Sequence, residues 1–288
     1  MREIPLSVPN LNIEIAGNLR ECVETGWVST GGRFIPAFEE KVAAYIKAPE
    51  AVACQSGTAG LHTALRILGV DADCEVIVPT LTFIAAVNPV RYLGAEPIFM
   101  DCDDNLCIDP VKLERFCREE CHLEAGNLTN NATGRIVKAV VPVHIFGNLA
   151  DMEAIMDTAA RYGLKVLEDA TEAMGSFYTA GKYAGRHAGT IGDMGVFSFN
   201  ANKIITTGGG GMIVANNQTY IDRARYLTTT ARDEALFFVH DDVGYNYRML
   251  NLQAALGVSQ IGELEKFIEI KKRNYDLYAE LLRDIPGL

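Results

Sequence analysis

The sequence predicts an α/β fold on a largely parallel sheet, from three observations. From Ala51 onward, short apolar runs alternate with helical segments. The residues able to do chemistry cluster where those runs end, as they do on open α/β sheets. The third is size: 288 residues, 49% hydrophobic and 22% charged, give the length and balance of one large globular domain or two smaller ones.

Two segments with helical spacing of apolar residues, 12–25 and 34–47, come before the alternation. Between them lies Gly26-Trp27-Val28-Ser29-Thr30-Gly31-Gly32, where Trp27 is either a packing plug or a wall for a ligand ring. Ala51–Cys54 is a short strand, and Gln55-Ser56-Gly57-Thr58 opens a helix to about Leu68. Glu75–Pro79 is a strand, followed by Thr80-Leu81-Thr82-Phe83 and a helix to Tyr92. Glu96–Met100 is the next strand. Asp109-Pro110 then caps a helix through about Glu119, with proline at its first position. The polar, glycine-containing stretch 121–135 is expected to be an exposed loop. Ile136–Ile145 and Lys165–Leu167 are strands flanking a helix at about 151–162. Met212–Ala215 is a strand and 218–227 a helix, and Leu252 to about Ile285 reads as one long helix kinked at Gly262.

The formal net charge of −11 argues against a nucleic-acid binder, which needs a basic stripe. Seven cysteines without CxxC spacing suggest neither a zinc site nor a disulfide framework, so a reducing cytoplasm is expected. No leader pattern and no apolar run of membrane-spanning length is visible. The five histidines lack metal-ligand spacing, and no metal is expected. His144, at the end of a strand, is expected to be a buried, satisfied core residue, with a site-lining role as the alternative.

Three loops at strand ends carry the informative residues. Ser56-Gly57-Thr58 at a helix N-terminus offers backbone N–H groups and hydroxyls that suit a phosphate, and equally suits a plain Ser/Thr cap. Asp169, at the carboxyl end of Val166-Leu167-Glu168-Asp169, needs a cationic or hydrogen-bonding partner. That partner is a protonated pyridine nitrogen or the N-terminus of the next helix. The third loop is Phe197-Ser198-Phe199-Asn200-Ala201-Asn202-Lys203, which runs into Gly208-Gly209-Gly210-Gly211 without an Asp, Glu or Arg between Gly195 and Gly211. Apolar surroundings disfavour the charged form of Lys203 and free its amine for Schiff-base chemistry. A surface lysine before a glycine hairpin is the competing reading of that stretch by itself. Taken together, a phosphate cradle, a strand-end aspartate and a desolvated lysine are what a pyridoxal phosphate enzyme requires of its protein, and Ser198 could donate to the same phosphate.

On these segments the chain resembles the DegT/DnrJ/EryC1/StrS nucleotide-sugar aminotransferases, fold-type I pyridoxal phosphate enzymes. Gly26 to Ser29, Ser56 to Ala59, Pro79 to Phe83, Glu168 to Ala170, Phe197 to Lys203 and Gly244-Tyr245-Asn246-Tyr247-Arg248 carry the likeness. The opening Ile4-Pro5-Leu6-Ser7-Val8-Pro9-Asn10 is similar to the legionaminic-type branch, which with the bacillosamine-type enzymes aminates C4 of UDP- or GDP-linked 4-keto-6-deoxy sugars. The resemblance implies that Lys203 bonds the cofactor and shuttles protons, Asp169 pairs with the pyridine nitrogen and Phe83 stacks on the ring. It places Ser56, Gly57, Thr58 and Ser198 on the phosphate, and Trp27 and Ser29 on the sugar nucleotide. It implies L-glutamate as donor and a homodimer in which Asn246 reaches the neighbouring subunit's cofactor. It also implies a large cofactor-binding domain over 1–250, with 251–288 leading into a small C-terminal domain that is mostly absent.

Two positions depart from the pattern. Glu172 stands where many members carry a glutamine that contacts the cofactor's ring hydroxyl; the 4-aminating branches often carry Glu here, and the resemblance keeps Glu172 among the cofactor-binding residues. An ionised carboxylate beside a phenolate-like oxygen is repulsive unless one of them is protonated. The second departure is Gly208 to Gly211, where many relatives read Gly-Glu-Gly-Gly. Alternative readings are a catalytically silent nucleotide-sugar-binding homologue or a 3-aminating member. A related dehydratase is disfavoured, because that branch replaces the lysine with histidine.

Overall fold

The computed structural model describes residues 5, 7–234 and 236–286. Ile4 and Leu6 of the opening motif, and the terminal Gly287-Leu288, lie outside them. Four helices start where a side chain accepts the free N–H groups of a first turn. Ser56 caps α3 (Gly57–Ile67), Asp109 caps α5 (Pro110–Glu119), Asp151 caps α6 (Met152–Tyr162) and Asn217 caps α7 (Gln218–Thr228). The first two helices are α1 (Glu14–Glu24) and α2 (Phe34–Ile46), and a short α4 (Asn88–Tyr92) follows a 3-10 turn at Ile84–Ala86.

Seven strands form the main sheet in the order β1 (Glu50–Cys54), β9 (Gly211–Ala215), β8 (Met194–Ser198), β7 (Lys165–Asp169), β6 (Ile136–Val140), β2 (Cys74–Pro79) and β3 (Glu96–Met100). Every pair from β8 across to β3 is parallel, and β9 alone runs against both its neighbours. The strands therefore bring Cys54, Asp169 and Ser198 to one edge of the sheet, with Gly211 at the start of β9 paired to both Cys54 and Ser198.

Side-chain alternation sorts each strand between two helical layers. Ala51, Ala53, Phe197, Met212 and Val214 face α2 and α8 (Asn251–Gln260). Val52, Cys54, Val196, Ile213 and Ala215 face α3 and α7. A further core joins β2, β6 and β7 to α5 and α6. The expected α/β fold, a mostly parallel sheet flanked by helices, is present. No helix among the described residues is long and apolar enough to cross a membrane.

Four local expectations are corrected. Residues 121–135 contain a hairpin, β4 (Cys121–Glu124) with β5 (Asn127–Asn130), where an exposed loop was expected. Its inner side is anchored by buried Leu128 and by Asn130, which donates to buried Glu75 at 2.8 Å. The strand expected to reach Ile145 stops at Val140, shortly before Pro142, which has no N–H to give a ladder. The helix expected after Phe83 is broken into the 3-10 turn and α4, with Pro89 in the first turn of α4. The long C-terminal helix is two, α8 and α9 (Leu264–Leu282), separated by a 3-10 turn at Ile261–Glu263 that contains the expected kink site Gly262.

Candidate active site

The edge of the sheet where β1, β7 and β8 end carries the site. Ser56 has extended backbone, and its hydroxyl accepts the Ala59 N–H at 3.1 Å, so the simple capping reading of Ser56 holds. The cradle reading is compatible with it, because the hydroxyl proton and the first N–H groups of α3 still face outward from the helix end. Gly57 is pressed against two other loops. A Cβ there would lie 3.0 Å from Thr171 Cγ2 and 3.1 Å from Ser198 Cβ. Gly211 explains one end of the glycine run: a Cβ there would come within 2.6 Å of the Ser56 carbonyl group. Only glycine lets β9 begin against the turn that opens α3.

A cavity of about 780 Å³ opens beside this edge. Its wall includes Thr171, Glu172, Ser198, Asn202 and Lys203, together with Phe146, Ser7 to Asn10, and the α9 residues Lys271, Lys272 and Tyr275. That volume is in the range of small-molecule and cofactor sites. Lys203 Nζ lies 3.2 Å from Glu172 Oε1, the lysine side chain 17% exposed and the glutamate 31%. This corrects the expectation of a lysine in apolar company. Its charge is compensated by a carboxylate 31 residues earlier, which no local window of sequence reveals. The other Glu172 oxygen accepts the Phe146 N–H at 2.8 Å.

Asp169 ends β7 and is buried. Its Oδ1 accepts the Thr171 N–H at 3.1 Å, and among the described residues it forms no salt bridge. Burial pushes its carboxyl above the usual aspartate range, and the Thr171 donors and the charge of Lys203 only partly offset that. The adjacent Glu168 is fully buried on the opposite side of the strand. It accepts from the N–H groups of Gly189, Ile191 and Gly192 at 2.8, 2.6 and 2.6 Å, and from His144 Nε2 at 2.9 Å. Burial pushes the Glu168 carboxyl up as well, but these donors outweigh it and hold the group below the ordinary glutamate range. The His144 tautomer follows from its bonds: Nδ1 accepts the Ala150 N–H at 3.2 Å, so the proton is on Nε2. His144 is thus the buried, satisfied residue the sequence suggested.

Ser56, Gly57, Thr58 and Asp169 stand at the sheet edge but are not part of the cavity wall, and the remaining expected site residues lie off it as well. Phe83 and Trp27 are 75% and 59% exposed, and Ser29 and Asn246 are exposed too. Their backbones are nonetheless fixed. The carbonyls of Trp27 and Ser29 accept from Asn251 at 2.7 Å each, and Asn246 bridges to Thr229. Its neighbour Tyr247 accepts the Gln55 N–H at 2.8 Å, which lays the 244–248 motif beside the loop that opens α3. Arg248 of that motif is engaged structurally, with Nη1 2.6 Å from the buried Glu39. Sequence reasoning missed Thr171, Phe146, Asn202 and the α9 residues. Thr171 had a signal, sitting between Asp169 and Glu172 in the same loop, whereas nothing in the α9 segment marked Lys271, Lys272 and Tyr275.

An amine beside a carboxylate, a glycine-lined N-terminus of a helix with a nearby serine, and a buried aspartate without a cation suit one kind of ligand. It would carry a carbonyl, an anionic group and a protonated ring nitrogen. The family profile matching the chain, over residues 9–288, is the DegT/DnrJ/EryC1/StrS aminotransferase family. A GDP-perosamine synthase of Escherichia coli O157:H7 is 37% identical over 285 residues, covering 99% of this chain and 73% of that protein. EpsN of Bacillus subtilis (strain 168), named as a pyridoxal phosphate-dependent aminotransferase, is 35% identical over 288 residues, 100% of this chain and 70% of its own. Among solved structures, a DegT DnrJ EryC1 StrS aminotransferase from Brucella abortus superposes with a TM-score of 0.85 at 28% identity, over 96% of this chain and 71% of that one.

Proposed function

The chain belongs to the DegT/DnrJ/EryC1/StrS aminotransferase family, pyridoxal phosphate enzymes, and on that premise we propose that it transfers an amino group to C4 of a UDP- or GDP-linked 4-keto-6-deoxy sugar, with L-glutamate as donor. The observation that supports this most is the convergence at one sheet edge of the Lys203–Glu172 pair, the Gly57–Ser198 contact and buried Asp169. The relatives named GDP-perosamine synthase support the nucleotide-sugar half of the reading.

Pyridoxal phosphate fits these residues, and when bound it supplies an electron sink and carries the amino group between donor and acceptor. The first N–H groups of α3, with the Ser56, Thr58 and Ser198 hydroxyls, would bind its phosphate. Asp169, which has no salt bridge among the described residues, would hold a proton on the ring nitrogen and be stabilised in turn. Lys203 Nζ would take the proton from the donor's Cα and pass it on, reversing this for the sugar. Glu172 sits where it can accept a hydrogen bond from that amine in its charged state. Phe83 would cover one ring face, and Trp27 and Ser29 would contact the sugar nucleotide. Their exposure in a single chain supports a homodimer in which a second copy covers this rim and supplies Asn246. The same proposal puts the enzyme in the cytoplasm, with the cofactor-binding unit over 1–250 and 251–288 leading toward a smaller domain.

The test is an amination assay over UDP- and GDP-4-keto-6-deoxy sugars with glutamate as donor. A 4-amino product is expected, and Lys203→Ala should abolish it while leaving the circular dichroism spectrum unchanged. A 3-amino product would overturn the C4 assignment, and amination by Lys203→Ala would overturn the role of the lysine.

A further inference from the structure

Phe146 is an aromatic residue in left-handed backbone, φ 56° and ψ 15°, and 72% of it is exposed. Neither the conformation nor the exposure is favourable for such a side chain, so the surroundings must impose them. They do so from several directions. His144 donates its own N–H to the Asp169 carbonyl at 3.0 Å, while its ring spans Glu168 on one nitrogen and the Ala150 N–H on the other. The Gly147 N–H closes back on the His144 carbonyl at 3.2 Å, and the Ser176 hydroxyl donates to the Gly147 carbonyl at 3.1 Å. Phe146 and Gly147 of this costly turn line the cavity, and there Glu172 accepts the Phe146 N–H at 2.8 Å. Glu172 then has one oxygen left for Lys203 Nζ.

We propose that the His144–Gly147 turn is a positioning device for the Lys203 amine: the buried His144 ring locks the turn, and the Phe146 N–H fixes Glu172 so that its free oxygen meets Lys203. His144 and Phe146 are then positioning residues that touch no reacting atom. The Phe146 ring has no part in this, and the arrangement explains why Glu172 is useful here although an ionised carboxylate suits a ring hydroxyl poorly. It rests on the reading of Lys203 as the reactive amine.

The experiment follows Lys203 in cofactor-free protein. Its rate of modification by trinitrobenzenesulfonate is measured at fixed pH, with the site identified by peptide mass and Lys203→Ala as the background. An amine engaged by a carboxylate must leave that contact to react, and a partly exposed pair slows such a reagent about two- to fivefold. Glu172→Gln and Phe146→Pro should remove that protection, His144→Asn should remove part of it, and Phe146→Gly, which keeps the N–H and relieves the left-handed backbone, should react like wild type. Only variants with wild-type circular dichroism and melting are scored, and Glu172→Gln and Phe146→Gly suffice if the others do not fold. Protection unchanged in Glu172→Gln, or lost in Phe146→Gly, overturns the proposal. Failure of the functional reading looks different: wild-type protein would then take up no pyridoxal phosphate, judged by visible absorbance, while the modification rates would still decide the role of the turn.

Discussion

Glu168 and Asp169 are neighbours on β7, both buried, and their environments are opposite. Glu168 turns toward the loop 189–192 and has four donors on its two oxygens, one of them the His144 ring. Asp169 has, among the described residues, backbone and side-chain donors from Thr171 alone. The first carboxyl is held below its ordinary range and the second above it. A fully satisfied buried carboxylate fastens structure, whereas one left short of donors has capacity for a ligand that brings a positive charge. The sequence distinguishes them only by parity along a strand.

The comparison breaks first at Glu168. Glu168→Gln puts an NH₂ group against backbone N–H donors or the His144 ring, which disrupts a buried charged network at about 3–5 kcal/mol. Denaturant unfolding should show that loss with or without cofactor. A variant as stable as wild type would remove the fastening role. Asp169→Asn should do the reverse. Without a charge to stabilise a ring proton, the amination rate should drop about 10²–10³-fold, the scale of losing one preorganised electrostatic partner, while stability without cofactor is kept or raised. Equal loss of stability in the two variants would erase the distinction.

Much of this fold was legible because the strands are short, continuous apolar runs bounded by turn residues, as in Glu75–Pro79 and Met212–Ala215. The 121–135 hairpin was not, since Cys121-His122-Leu123-Glu124 is mixed in polarity and its anchor, Asn130 on Glu75, spans 55 residues. The site was legible in the same uneven way. Lys203, Asp169 and the Ser56–Thr58 turn stand out locally, at strand and helix ends. What surrounds them comes from elsewhere in the chain: Glu172 reaches Lys203 across 31 residues and His144 reaches Glu168 across 24. The lysine loop looked free of charge because its carboxylate arrives from another strand end. Phe83, Trp27, Ser29 and Asn246 came from resemblance, and exposed residues leave no packing pattern from which to read a role.

The smallest expected effect is also the sharpest form of the comparison, because the two carboxyls should bend the pH dependence of stability in opposite directions. Glu168 has a folded-state value below that of the unfolded chain, about 4.3 for glutamate. Its contribution is complete above that pH and is lost as pH falls through the lower folded value. Asp169 has a folded-state value above the unfolded one, about 3.9 for aspartate. Its charged form therefore weakens the fold at neutral pH, and that penalty disappears as pH falls from the raised folded value to about 3.9. A tenfold difference in proton affinity between the folded and unfolded chain is worth about 1.4 kcal/mol. Urea unfolding of cofactor-free protein between pH 3 and 7 should then show Asp169→Asn gaining on wild type at neutral pH and converging with it in acid. Glu168→Gln should be weakest relative to wild type at neutral pH and lose less than wild type on acidification. On the proposed role of Asp169, saturating pyridoxal phosphate would bring it a protonated ring nitrogen and should shrink the neutral-pH advantage of Asp169→Asn. An Asp169→Asn curve parallel to wild type at every pH would mean that Asp169 is as well satisfied as Glu168, and the two sides of β7 would no longer differ.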